Sequence, residues 1–200
     1  DIYRVGLPGI VMQSVVSVMT AGMNGILIAF SQTAVNVLGV YFKLQTFIYL
    51  SASGVIQGIR PIVSYNYGAG EEKRVQSVFR TSLGINAIVM AVGMALSMFI
   101  PGQLIGIFTS SQETIAIGVQ ALRIISIGFI FSAVSVTCCG VLEALGRGMP
   151  SLVVSLLRYV VVIIPAAFAL SRISGVGATG VFVAFPVTEI VTCVASYFIY

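Results

Sequence analysis

Six apolar stretches dominate the chain, at about 6–30, 35–66, 76–100, 114–142, 150–171 and 177–199. Each approaches or exceeds the roughly 20 residues a helix needs to cross a bilayer. No water is present in hydrocarbon to pair free N–H and C=O groups, so each stretch must close its backbone hydrogen bonds internally as a helix. The segments are too long, and lack the alternation, for strands of a membrane barrel. Composition agrees: 58% of the 200 residues are hydrophobic and 8% charged, against about 25% charged in a soluble domain. The expected fold class is therefore all-α, a polytopic membrane protein with six transmembrane helices.

Basic residues set the expected orientation. Arg4, Lys73, Arg74, Arg80 and Arg147 flank one side, whereas the opposite loops offer only Arg172. The basic side reads as cytoplasmic, which puts both ends of the chain there, in a cytoplasmic (plasma or inner) membrane. The chain opens Asp1-Ile-Tyr-Arg without Met and stops inside an apolar run at Tyr200, so it reads as a segment of a longer protein. There is no signal-peptide pattern. A net charge of +4, spread over helix ends, argues topology rather than nucleic-acid binding.

Several chemistries are missing from the sequence. There is no His, which removes Ser–His catalysis and His-ligated metals. Cys138, Cys139 and Cys193 lie in apolar runs without metal-site spacing. No phosphate-binding Gly-x-x-x-x-Gly-Lys-Ser/Thr loop is present. Lys43 could serve a Ser–Lys enzyme only beside a Ser, and Ser51 and Ser53 are more than two turns away. The expectation is a protein that is not an enzyme and holds no cofactor or metal.

The polar residues inside the apolar segments are the candidate functional groups. Gln13, Ser17, Thr20 and Asn24 recur at helical spacing and form one stripe on the first segment. Such a stripe either makes hydrogen bonds inside the bundle or lines a wet cavity. Pro8 suits a first helical turn. In the second segment Lys43 lies roughly 12 Å deep, with Thr46, Ser53 and Gln57 near the same face. A buried ammonium in a membrane segment points to a water-filled path. Gly58, Pro61, Gly68 and Gly70, at the far end of that helix, form either a hinge or a structural turn. Arg123 is placed at a depth like that of Lys43, in a continuous fourth helix. Pro165 and Pro186 are expected to kink the last two helices. Arg158 and Glu189 are equidistant from the hairpin tip near Ser174, so they should meet as a buried structural pair. Gly58-x-x-Pro61 and Gly146-x-x-x-Pro150 give a faint hint of internal symmetry.

The stretch Gly58-Ile-Arg-Pro-Ile-Val-Ser-Tyr-Asn-Tyr-Gly-Ala-Gly70 resembles the signature that ends the eighth helix of MATE (multidrug and toxic compound extrusion) transporters. Gly6-Leu-Pro8, Tyr41-Phe-Lys-Leu-Gln45, Leu157-Arg158 with Pro165, and Pro186-x-x-Glu189 support the likeness. The resemblance implies one lobe, the carboxy-terminal six helices, of a twelve-helix antiporter. The amino-terminal six-helix lobe would be its partner, with membrane lipid and a small-molecule drug. H+ or Na+ would be the coupling ion. With the polar stripe and the buried Lys43, the Tyr41–Gln45 motif makes Gln13, Ser17, Asn24, Tyr41, Lys43 and Gln45 the expected cavity residues. NorM-like members resemble a design with coupling carboxylates on the seventh and tenth helices; the first helix here has no acid, so the DinF-like branch is favoured. Two alternatives stay open. One is a lipid-linked oligosaccharide flippase, which Lys43 and Arg123 would suit; the other is a non-transporting membrane fragment.

Overall fold

The structure is a computed structural model that describes residues 2–173 and 177–200, with side chains from Ile10 onward. The hairpin tip near Ser174 lies outside the described residues. Every element is helical: α1 (Ile2–Ile28), α2 (Gln32–Gly68), α3 (Glu72–Phe99), α4 (Pro101–Gly106), α5 (Gln112–Ser126), α6 (Phe129–Ala144), α7 (Gly148–Leu156), a wide-turned stretch (Leu157–Val162), α8 (Ile163–Ser171) and α9 (Ala178–Ile199).

Local chemistry sets the helix starts. Ser31 is extended, and its Oγ accepts from the amides of Thr33 (3.0 Å) and Ala34 (3.4 Å) at the start of α2. Ser111 caps α5 in the same way through Thr114 N. Each hydroxyl satisfies amides that have no partner within the helix. α1 already begins at Ile2, so Pro8 lies inside the helix rather than in its first turn.

The α2–α3 and α6–α7 turns are built alike. Gly70 and Gly146 have φ of 75° and 73°, a left-handed conformation that favours Gly. The following amides reach back five residues, Glu71 N to Asn66 O and Arg147 N to Leu142 O, both at 2.9 Å. This is the Schellman closure of a helix end. The equivalence of the two turns therefore rests on Gly70 and Gly146, not on the Gly58 and Pro150 spacing read from the sequence.

Two segments depart from expectation. The fourth is not one helix over 114–142: α5 and α6 meet at a 54° bend. Arg123, in the last turn of α5, is exposed there. The short α4 starts with Pro101 in its first turn, where the missing N–H costs nothing. In the fifth segment, Pro165 lacks an N–H and would crowd the carbonyl of Val161. The hydrogen-bond ladder opens into wide turns over Leu157–Val162 just before it, and Gly148–Ser171 remains one span.

By length and apolarity α1, α3, Gly148–Ser171 and α9 can each cross a membrane, and the bent α5–α6 pair makes a fifth candidate. α2 is long enough at 37 residues, yet it falls short on apolarity because one of its sides is polar. α6 lies centrally, packed against α2, α3, α7 and α9. Met23, Leu27, Leu38, Met90, Phe129 and Phe182 fill the main core. Close approach needs small residues, as in membrane bundles generally. A Cβ on Gly140 would stand 2.3 Å from Ile56 Cγ2, and one on Gly180 would stand 2.4 Å from the Leu170 carbonyl oxygen. Asn86 Nδ2 donates to Thr137 Oγ1 at 3.0 Å, joining α3 to α6. Outside, Ile88, Phe99, Val161 and Phe198 stand exposed. An apolar surface that broad suits lipid and not water.

Candidate functional site

Two concavities lie between α1 and α2. The inner one, about 390 Å³, is backed by α6 and α7 and lined by Gln13, Ser53, Gln57, Arg60, Ser135 and Glu143, among others. Arg60 and Glu143 form a salt bridge across its mouth. Glu143 also accepts from Ser151 Oγ at 3.0 Å, and Ser64 Oγ donates to the Ala144 carbonyl at 2.7 Å. These contacts tie the end of α2 to α6 and α7. Ser135 is buried, and its Oγ has no partner among the described residues. A buried unpaired hydroxyl bordering a cavity marks a place where water or a ligand can bond.

The outer concavity, about 590 Å³, is lined by Thr20, Asn24, Asn36, Lys43, Phe108 and Thr114, among others. Lys43 Nζ lies 5.8 Å from the Phe108 ring centroid. No acid lies within ion-pair distance of Lys43 among the described residues. At the rim Thr33 Oγ1 donates to Glu113 Oε1 at 3.0 Å.

The six expected cavity residues are thus divided. Gln13 lines the inner concavity, and Asn24 and Lys43 line the outer one. Ser17 is exposed on α1 between them, on neither wall. Tyr41 borders neither concavity. It is 3% exposed and packs edge-on against Phe185 at 5.2 Å. Gln45 is half-buried and borders neither concavity. The reason is helical geometry: residues two apart point about 200° apart around the axis, so Tyr41 and Gln45 cannot share the side of Lys43. Arg123 also lies on neither wall.

Behind the inner concavity lies a buried polar cluster. Arg158 and Glu189, 7% and 8% exposed, form a salt bridge between the wide-turned stretch and α9. Arg158 Nη2 also donates to Tyr49 Oη at 2.8 Å and approaches Ser132 Oγ at 3.4 Å. Tyr49 donates to Ser132 Oγ at 2.6 Å, and Ser132 donates to the Gly128 carbonyl at 3.1 Å. The guanidinium carbon lies 5.5 Å and 5.4 Å from the Tyr49 and Tyr159 ring centroids. Glu189 presses on the α5–α6 bend, where a Cβ on Gly128 would meet Glu189 Cγ at 3.0 Å. Four chain segments therefore converge on one charge pair. Tyr49, Ser132 and the Arg60–Glu143 bridge were not singled out in the sequence. Counting depth along helices could have found the bridge, since both members lie near the same end of their helices.

Of the four candidate hinge residues, Gly58, Pro61 and Gly68 lie within the continuous α2, and only Gly70 has a backbone that requires Gly. A Cβ on Gly58 would meet nothing within 4 Å.

Taken together, an apolar exterior, a bundle of crossing helices and a polar concave side define a polytopic membrane protein with a wet face. The chain belongs to the MatE family, whose profile matches residues 8–168. It is 24% identical over 199 residues to a multidrug export protein MepA of Staphylococcus saprophyticus, and 23% identical to one of Staphylococcus aureus. In both cases all of this chain aligns, with 43% of the relative. The chain thus spans less than half the length of the curated relatives it matches. A multidrug resistance MATE family transporter solved in an outward-facing conformation superposes with a TM-score of 0.94 at 19% identity, covering 99% of this chain and 45% of that one. A MOP superfamily transporter from Pyrococcus furiosus gives 0.93 at 18% identity, with 99% and 45% coverage. The fold is that of part of a MATE transporter.

Proposed function

We propose that the full-length protein is a secondary active multidrug exporter of the cytoplasmic membrane, and that this chain is its carboxy-terminal six-helix lobe. Drug would move outward in exchange for H+ or Na+ as two lobes rock about a central site. The observation that carries the reading is the polar concave α1–α2 side, with two solvent-sized concavities on an otherwise apolar bundle. Its natural complement is a second, amino-terminal lobe. The names of the curated relatives and the share of them that this chain covers support the same assignment. On this reading α2 is the sixth crossing helix, its polar side turned toward the cavity, and both chain ends are cytoplasmic.

The acids support a coupling carboxylate in the other lobe. Glu143 and Glu189 are each bridged to Arg, Glu113 accepts from Thr33, and Glu71 and Glu72 sit at the α2–α3 turn. Among the described residues the one acid without a basic partner on the α1–α2 side is Glu113, which sits at the rim and not on the wall of either concavity. The same bridges weigh against a flippase, because both arginines bordering the inner concavity are already paired.

The test is export by the full-length protein reconstituted in liposomes, with ethidium inside and either a proton or a sodium gradient imposed. Gradient-driven ethidium movement supports the proposal. Absence of drug movement under both gradients, with movement of a fluorescent lipid-linked sugar, would replace it with the flippase reading.

A further inference from the structure

At the end of the bundle that carries the Gly70 and Gly146 turns lies a groove of about 470 Å³. It shares no lining residue with the inner concavity, so the two are separate. Two guanidinium groups from different segments line it, Arg80 of α3 and Arg147 of the α6–α7 turn. Both are exposed, and neither has an acid within ion-pair distance among the described residues. One carboxylate, Glu72, also borders the groove. Phe79 and Tyr200, two further lining residues, stack at 4.3 Å with their planes 17° apart.

The level of the groove in a bilayer follows from α3. Its 28 residues extend roughly 42 Å, against a hydrocarbon core of about 30 Å, leaving about 6 Å beyond the core at each end. Arg80 is eight residues past Glu72, about 12 Å along the helix and so about 6 Å inside the core edge. A long Arg side chain there reaches up to the headgroup level. Arg147, in the turn, meets that level from above. Aromatic rings at this depth are typical of membrane interfaces. Leu145 and Phe79, both half-buried, give the groove apolar walls, which a free phosphate would not use but acyl chains would.

We infer that this groove is a binding site for an anionic phospholipid in the leaflet on the side of the Gly70 and Gly146 turns. Arg80 and Arg147 hold its phosphate, and the chains lie along Leu145 and Phe79. Basic pockets between crossing helices at a membrane surface recognise lipid headgroups in this way. Glu72 disfavours a headgroup of higher negative charge and leaves the groove side chains with a single net positive charge, which suits a singly charged phosphodiester. This inference concerns the outer wall of the bundle and does not depend on what is transported.

Native mass spectrometry of the full-length protein in detergent, with added phosphatidylglycerol or phosphatidylcholine, tests it. The wild type should retain phosphatidylglycerol in preference. The double variant R80Q/R147Q should lose that preference by roughly thirty-fold, from two Arg contacts at a charged interface. Circular dichroism should show unchanged helicity. If the double variant does not fold, R80K/R147K takes its place: it keeps the charge but loses the planar fork, and should show an intermediate loss. R172Q, on the opposite side of the membrane, should change nothing. Equal retention of the two lipids by the wild type, undiminished retention by the variants, or an equal loss in R172Q overturns the inference. Displacement of the lipid by inorganic phosphate would overturn the lipid in favour of a free anion.

Discussion

Removing Arg158 should destabilise the lobe more than removing the charge of Glu189, and removing both should recover much of the loss. Arg158 is the shared donor of the cluster. Without it, Glu189 Oε1 keeps only a 3.4 Å approach from Tyr49, and Oε2 has no partner among the described residues. Without the carboxylate charge, Arg158 still donates to Tyr49 and Ser132 and still lies against two aromatic rings. Two unit charges about 4 Å apart at an effective dielectric of about 20 attract by about 4 kcal/mol. That agrees with the 3–5 kcal/mol typical of stranding one member of a buried pair. R158L is therefore expected at the upper end of that range and E189Q at the lower end. R158L/E189L should cost less than R158L alone, because no lone charge remains. Thermal unfolding of the full-length protein in detergent, read by fluorescence-detected gel filtration, gives the order directly. A double variant as unstable as the sum of the singles would refute the reasoning. So would E189Q at normal abundance with export abolished, which would make Glu189 part of ion coupling rather than a structural partner.

Lys43→Met should leave folded protein unchanged and reduce drug resistance at least several-fold, since Lys43 is exposed on the wall of the outer concavity with no ion-pair partner among the described residues; full resistance at normal expression would remove it from the transport path. Gly58→Ala has open space for the new Cβ and should leave the fold intact, with a helix-propensity gain of about 0.5–1 kcal/mol; slowed export by an equally stable protein marks a hinge, and unchanged export rules one out. Gly180→Ala should be far costlier, because its Cβ would lie 2.4 Å from a backbone oxygen that cannot swing aside; a normal melting temperature for this variant would contradict the α8–α9 packing.

Segment length and the scarcity of charge made the helical bundle legible, because hydrocarbon admits so few backbone solutions. Matching depths along two helices brought Arg158 to Glu189. What depth cannot supply is azimuth, and the errors lie there. Tyr41 and Gln45 entered the expected cavity set through the motif they share with Lys43, yet alternate residues of a helix face nearly opposite ways, and only Lys43 lines a concavity. The break between α5 and α6 was hidden because Ile127 and Gly128 sit in a mostly apolar stretch with no Pro and no charge. At the bend Glu189 lies close against Gly128, a contact that no local sequence pattern announces. The two Schellman turns at Gly70 and Gly146 were legible as turns, but their equivalence was masked by the more conspicuous prolines nearby.

The central claim is that the α1–α2 side faces water while α3 and the end of α9 face lipid. Single cysteines in a cysteine-free full-length protein, treated in membranes with a hydrophilic thiol reagent, test it most directly. Gln13→Cys, Lys43→Cys and Ser53→Cys should label, and a transported drug should slow the labelling. Ile88→Cys and Phe198→Cys, exposed on the apolar exterior, should not label. Labelling at Ile88 and Phe198 with protection at Gln13, Lys43 and Ser53 in the absence of drug would contradict the account.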